Sequence, residues 1–353
     1  MQSIIAGKNE DGQRLDRLLN RLLPKAGQGF IYKMLRKKNI VLNGKKAEGS
    51  ERVLAGDEIK LFLSDDTIAS FSENGRISAA ASDMNTKEGQ AEQVKASDKY
   101  VRAAEQSVAA KAKASVKLDI VYEDEDIILV NKPVGMLSQK AEANDISLNE
   151  YVIDYLLNKG ELTREQMKTF RPGVCNRLDR NTSGIVAVGK SLQGLRVLSE
   201  LFRSRTIDKY YLCIVKGIIN EASRIEGYLV KDEKSNKVSV SKVKPVSADK
   251  DEAVEIITEF RPVKSLSGCT LLEVKLITGK THQIRAHLAS IGHPIAGDMK
   301  YGQSEFNHAM KVNFGVRSQL LLAYRLKFPK NCTGLERLSG REFTVEKPKS
   351  FFI

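Results

Sequence analysis

From about Ser64 to Ser115 large apolar side chains become sparse. The stretch is built mainly from Ala, Ser, Glu, Lys, Gln and Asp, and ISAAASDMNTKEGQAEQVKASDK shows neither a helical nor a strand period. Such a segment buries too little apolar surface to offset the entropy of ordering it. Its later part, AEQVKASDKYVRAAEQSVAAKAKA, holds good helix formers but lacks an apolar face on which to fold alone. Residues 65–115 therefore read as a flexible linker. The linker divides the 353 residues into a small portion, 1–64, and a larger one, 116–353, long enough to bury a substantial core.

Charge follows the same division. The chain carries 57 basic and 44 acidic residues, a net charge of +13. The linker is nearly balanced, 7 basic against 8 acidic, whereas the portion before it has 13 against 7 and the portion after it 37 against 29. A positive excess confined to the two folding portions points to a polyanionic partner. Nucleic acid is preferred over a membrane, because no stretch is long and apolar enough to insert. Cys175, Cys213, Cys269 and Cys332 are scattered without a C-x-x-C pair, which argues against a zinc knuckle and against a disulfide framework. The opening MQSIIAGKNEDGQRLD has no apolar core of a signal peptide and is too acidic for a transit peptide. A cytoplasmic protein, acting as a monomer away from membranes, is expected.

In the first portion, RLDRLLNRLL sets Leu15, Leu18, Leu19, Leu22 and Leu23 on one helical stripe that ends near Pro24. GFIYKMLRKKN reads as a second helix, with Ile31, Met34 and Leu35 inward and Lys33, Arg36 and Lys37 on another side. IVLNGKKA follows as a strand with an Asn-Gly turn, and AGDEIKLFL as a turn and a second strand. Candidate phosphate contacts are Arg14, Arg17, Lys33, Arg36, Lys37, Lys38, Lys45 and Lys46, while Tyr32 is expected to pack rather than stack on a base. Over Gln13 to Leu63 the order of RLDRLL, basic helix, VLNGKK and GDEI resembles the S4 RNA-binding domain, a small α/β module. That resemblance implies docking on structured RNA through its phosphates.

Beyond the linker, strands predominate: LDIVYE, DIILVNK, GIVAVGK, KYYLCIVKG, RIEGYLV, KVSVS, AVEIITEF and TLLEVKLI. Helices are expected at SLNEYVIDYLL, SLQGLRVLSELF and THQIRAHLASIG. Strands mostly follow strands, so the class is α+β with a mixed, largely antiparallel sheet.

The tetrapeptide RLDR occurs at 14–17 and again at 177–180. No leucine stripe follows the second copy; Asn181, Thr182, Ser183 and Gly184 make a turn before an apolar strand, which leaves Asp179 in a loop or at a strand mouth. Taken alone, that placement suits a turn-capping aspartate as well as a reacting one. Gly184 to Ser191, GIVAVGKS, matches the spacing of a phosphate loop. Its interior is a strand former rather than a flexible cradle, and no apolar strand precedes Gly184, so nucleotide hydrolysis is rejected.

NKPVGM at 131–136, NRLDRNTSG at 176–184, KYY at 209–211 and TGKTHQIRAHLASIGHPIAGDMKYG at 278–302 occur in that order. Together they resemble the RluA family of pseudouridine synthases, over about Leu118 to Pro329. With an S4-like module in front, the chain is similar to the ribosomal large-subunit branch of that family. The resemblance implies a pseudouridine synthase fold, structured RNA as partner, large-subunit ribosomal RNA first, and isomerisation of uridine without cofactor. It places Asp179 at the catalytic aspartate, Arg285 at the basic residue paired with it, and Tyr211 at the tyrosine that stacks on the target uracil. Arg177 falls at an arginine that holds the extruded nucleotide, with Asn176, Arg180 and His282 as further positioning candidates. Two departures stand out: Asn176 replaces the usual His, and LSQKA replaces the usual continuation after NKPVGM. The carboxylate could attack the ribose, attack the base, or remove a ribose proton to give a glycal; the residues leave these open. His282, His287 and His293 are five and six residues apart, which does not stack imidazoles on one helix face, so no metal is expected. The alternative is an RNA-binding or ribosome-assembly protein that keeps the fold without turnover, with Asn176 as its support.

Overall fold

The structure, a computed structural model, describes residues 2–7, 10–72, 117–142, 144–232, 237–244 and 253–351. Two compact units are present. The first takes the described residues of Met1–Lys117 with Glu150–Gly173 and Lys190–Gln193; the second takes Leu118–Asn149, Val174–Gly189 and Gly194–Ile353.

In the first unit the chain runs β1 (Gln2–Ile5), α1 (Leu15–Leu22), α2 (Gln28–Arg36), β2 (Ile40–Leu42), β3 (Lys45–Lys46), β4 (Glu58–Leu61) and α3 (Asp65–Phe71). The strands form an antiparallel sheet in the order β1-β4-β2-β3. The leucine stripe does what its period dictates: Leu15, Leu18, Leu19 and Leu22 of α1 and Ile31, Met34 and Leu35 of α2 are buried in one core with Ile40, Ile59 and Leu61. Asn43 and Gly44 both have positive φ, 49° and 72°, as a tight type I′ hairpin requires. Residues 65–72, expected in the linker, belong to this unit. Ser64 caps α3 by accepting a hydrogen bond from Thr67 N, Ile68 is fully buried, and the Phe71 ring lies 4.5 Å from that of Phe30. Two apolar residues sufficed once a core was there to receive them. The remainder of that expected linker, with its helix-prone stretch, lies outside the described residues.

The second unit is organised on one sheet of 11 described strands. In chain order they are β5 (Ile120–Glu123), β6 (Ile127–Lys132), β7 (Gly173–Val174), β8 (Ser183–Gly189), β9 (Asp208–Lys216), β10 (Ser223–Asp232), β11 (Lys237–Ser241), β12 (Ala253–Leu266), β13 (Cys269–Leu276), β14 (Leu321–Lys327) and β15 (Glu342–Thr344). The main path is β11-β10-β12-β13-β9-β14-β8-β6-β5, with β15 on β14 and β7 on β8. Every ladder on the main path is antiparallel except β14 with β8. Helices α4 (Leu148–Lys159), α5 (Leu192–Arg203), α6 (Gln283–Ser290) and α7 (Ser304–Phe314) lie between these strands in the chain. Most of α4 groups with the first unit, rather than with the 116–353 portion in which the sequence reading placed it.

The phosphate-loop look-alike is β8, and every residue from Ser183 to Gly189 is buried. Gly184, at φ +116°, serves close packing: a Cβ there would stand 2.2 Å from the carbonyl oxygen of Ala323 on β14. Among the described residues no helix is long and apolar enough to cross a membrane. All four cysteines are free.

Candidate active site

Asp179 lies in the loop between β7 and β8, and that loop is held at three places. Asn176 accepts from Ala187 N at 2.7 Å and donates to Ile185 O at 3.2 Å, so its amide pairs with β8 much as a neighbouring strand would. Ser138 Oγ lies 3.0 Å from both Leu178 O and Leu178 N, donating to the first and accepting from the second. Arg180 O accepts from Gly135 N at 2.9 Å and from Lys132 Nζ at 3.1 Å. Lys132 is fully buried, and its ammonium also donates to Pro133 O and Met136 O. Burial lowers its pKa to about 8. The NKPVGM segment therefore braces the aspartate loop.

Arg285, the third residue of α6, reaches the same carboxylate from the opposite side. Its Nη1 donates to Asp179 Oδ2 at 2.7 Å. Its Nε and Nη2 donate side by side to Asp298, at 2.7 and 2.9 Å. Asp298 is fully buried and also accepts from the amides of Lys300 and Tyr301, at 2.8 and 3.1 Å. Burial opposes charge on both partners, but mutual pairing outweighs it: Asp298 is held below the usual carboxylate range and Arg285 above the usual guanidinium value. One carboxylate fixes the guanidinium, which then presents its remaining edge to Asp179, whose side chain keeps 27% of its exposure.

His282 begins α6 with a left-handed backbone, φ +57°. Its Nδ1 is 2.9 Å from the Tyr301 hydroxyl and its Nε2 is 3.9 Å from Asp179 Oδ2. Burial lowers its pKa, favouring the neutral ring. The loop before α6 is stitched down by Gln283, which accepts from Thr278 Oγ1 and Lys280 N and donates to Ile257 O and Thr258 Oγ1. His287 Nδ1 meets Thr258 Oγ1 at 3.0 Å, and His293 Nδ1 meets Lys216 O at 2.8 Å. The three histidines thus have separate partners, and no metal-binding cluster occurs among the described residues.

Tyr211 sits mid-strand on β9, paired with Val274 and Ala323 and 7% exposed. Burial, then the nearby Asp179 charge, pushes its phenol pKa up, so the ring remains un-ionised. Asp179, Tyr211, Arg285, His282, Asn176, Arg177 and Arg180, which the sequence placed in three separate motifs, all line one cavity of about 650 Å³ within the second unit. Arg177 and Arg180 are exposed at it. Asp298, Lys132, Ser138 and Tyr301 escaped the sequence reading. The first and last lie in the quoted GDMKYG, and Lys132 in NKPVGM, but only burial reveals what they hold.

In the first unit Arg17, Lys33, Arg36, Lys37, Lys38, Lys45 and Lys46 are exposed. Arg14 differs: it is paired to the buried Asp16 at 3.1 and 2.8 Å, and the Tyr32 hydroxyl donates to the same carboxylate at 2.8 Å. The first RLDR is therefore a structural clasp, which Tyr32, itself 36% exposed, joins through its hydroxyl.

The fold is shared with the solved human RNA pseudouridylate synthase domain containing 4, at a TM-score of 0.51 and 20% identity, over 72% of this chain and 95% of that one. Residues 126–290 match the family model described as RNA pseudouridylate synthase. The ribosomal large subunit pseudouridine synthase D of Borreliella burgdorferi is 30% identical over 68% of this chain and 68% of its own. The ribosomal large subunit pseudouridine synthase C of Rickettsia bellii is 29% identical over 92% and 94%. The chain belongs to the RNA pseudouridylate synthase family and is, with its relatives, an isomerase that makes pseudouridine.

Proposed function

We propose that this chain isomerises one or more uridines of large-subunit ribosomal RNA, with Asp179 as the catalytic carboxylate and no cofactor. The observation that supports this best is that Asp179 and Arg285, the latter fixed from behind by the buried Asp298, line one cavity with Tyr211. The relatives' names favour ribosomal RNA as the substrate.

Conversion breaks the N1 glycosidic bond, turns the uracil, and joins C5 to the ribose, so atoms and electrons balance without a redox partner. The target nucleotide leaves its stack first, at a cost of a few kcal/mol that ring stacking and phosphate contacts offset. Asp179 then attacks the ribose, attacks the base, or takes a ribose proton; each route needs its carboxylate against the nucleotide, where Arg285 orients it. Tyr211 supplies a stacking face. As an un-ionised phenol it takes the C5 proton only while passing its own proton on. Arg177, Arg180 and His282 position the nucleotide at the cavity rim. Asn176 acts by pinning the aspartate loop to β8, so replacement of a histidine there leaves the reacting groups in place.

The S4-like segment, Gln13 to Leu63, docks on RNA through the exposed Arg17, Lys33, Arg36, Lys37, Lys38, Lys45 and Lys46, in the cytoplasm and as a monomer. The test is pseudouridine mapping in large-subunit RNA of cells with and without the protein, together with turnover by purified wild type and Asp179→Asn. A site present only with wild type is expected. Retained turnover in Asp179→Asn, or an unchanged map, overturns the reading.

A further inference from the structure

Two cations in the cavity wall play no part in the Asp179–Arg285–Asp298 pairing. Lys209 precedes Tyr211 by two residues on β9, so both side chains leave the same face of the strand. It lines the cavity, is only 8% exposed, and its ammonium has no hydrogen bond or ion pair among the described residues. The adjacent Asp208 is engaged by Lys275 at 3.1 Å. Arg205 lines the same cavity, is exposed and likewise has no partner among the described residues. It occupies an unusual backbone position: after α5 the chain turns with Arg205 at φ +61°, while Thr206 N bonds back to Leu201 O at 3.1 Å. Glycine is the residue that adopts this helix-ending conformation without strain.

Lys209 is 8% exposed and its ammonium meets only the cavity, so it gives up much of its hydration without a protein acceptor in return, and a second cation lining the same cavity adds repulsion. Burial and then the Arg205 charge both push the Lys209 pKa down. Helix strain at Arg205 adds to that cost, and such outliers persist where a ligand makes use of them. A uracil carbonyl could accept one hydrogen bond but brings no charge to set against two cations. A phosphodiester brings a full negative charge and several acceptor oxygens.

We propose that Lys209 and Arg205 form a subsite for a backbone phosphate flanking the extruded uridine. The proposal rests on the reading of the cavity as the uridine pocket. It makes these two residues substrate-binding groups that seat the backbone while Tyr211 takes the base.

The test uses the full chain and a stem-loop transcript of large-subunit RNA in which wild-type protein has located the target by forming pseudouridine. Binding is followed by fluorescence anisotropy across a series of KCl concentrations, for wild type, Lys209→Met and Arg205→Gly. Each variant should bind more weakly and lower the slope of log Kd against log salt by about one, as loss of one phosphate contact does. Arg205→Gly should melt no lower than wild type, which separates its binding defect from misfolding. RNAs with a neutral methylphosphonate 5′ or 3′ of the target supply the second arm. At one of these linkages wild type should drop to the affinity of Lys209→Met, and Lys209→Met should lose nothing more. An unchanged salt slope, or an equal Lys209→Met penalty on all RNAs, overturns the subsite; the latter would instead identify a lysine reading the uracil. If wild type makes no pseudouridine in any transcript, the functional reading has failed rather than the subsite alone.

Discussion

Two aspartates share the Arg285 guanidinium, and exchanging each for asparagine should separate their duties. Asp298 is fully buried and accepts four hydrogen bonds, two from Arg285 and two from backbone amides. An asparagine has one oxygen to offer, and its NH2 would face the donors of Arg285 or of the loop. Breaking a buried ion pair costs about 3–5 kcal/mol. Asp179 still neutralises part of the stranded guanidinium, so we expect the lower end, about 3 kcal/mol. For a unit of this size that corresponds to roughly 6–12 °C in melting temperature. Asp179 makes a single bond to Arg285 and keeps 27% of its side-chain exposure. Water can compensate its loss, so Asp179→Asn should cost about 1 kcal/mol, or roughly 2–4 °C. Its turnover should nevertheless fall at least about a hundredfold. Thermal unfolding followed by circular dichroism gives the first quantity. Tritium release from RNA labelled at uridine C5 gives the second, because that hydrogen must leave when C5 joins the ribose. If Asp179→Asn melts as low as Asp298→Asn, or Asp298→Asn keeps wild-type stability, the division into an anchoring and a reacting carboxylate is wrong.

Gly184→Ala should destabilise the second unit by more than about 3 kcal/mol, since its Cβ would overlap the Ala323 backbone at φ +116°, whereas Gly279→Ala, with only Lys209 Nζ at 3.8 Å, should melt like wild type; chemical denaturation distinguishes them. Tyr211→Phe should hold RNA as wild type does and lose turnover, while Tyr211→Ala should lose both, a split read from Kd and kcat. Asp16 is held at about 2, first by the Arg14 hydrogen bonds and against burial, with Tyr32 adding to them. A carboxyl depressed in the folded state stabilises above its ordinary value of 3.8 and loses that contribution as pH falls toward 2. Amide exchange in α1 and α2, corrected for intrinsic rates, should therefore rise over that window in wild type and rise less in Asp16→Asn.

The parts of this molecule legible in its sequence were those whose physics is local. The leucine stripe of α1 needs only a 3.6-residue period, and the Asn-Gly turn only two residues that tolerate positive φ. The eight strands expected after the linker all formed, yet β14 was not anticipated, although it lies between β9 and β8. LLAYRLK is an apolar run that suits helix or strand alike, and what decides it is a vacant position between two strands far away in sequence. Helix α7 was missed because SEFNHAMKVNF buries only Asn307 and Met310 within it, too little to leave a stripe. The site shows the same limit. Motifs brought Asp179, Tyr211 and Arg285 together because each belongs to a recognisable string, but Lys132 reads as a surface lysine until three carbonyl oxygens are found around it. Asn176 is the reverse case: in sequence it stands out only as a departure from the usual His that bears on positioning, and the structure supplies the partners, its amide pairing with β8. The loop that carries Asp179 is thus held by residues whose importance lies in what they are buried against, and a substitution among them is interpretable only once their partners are known.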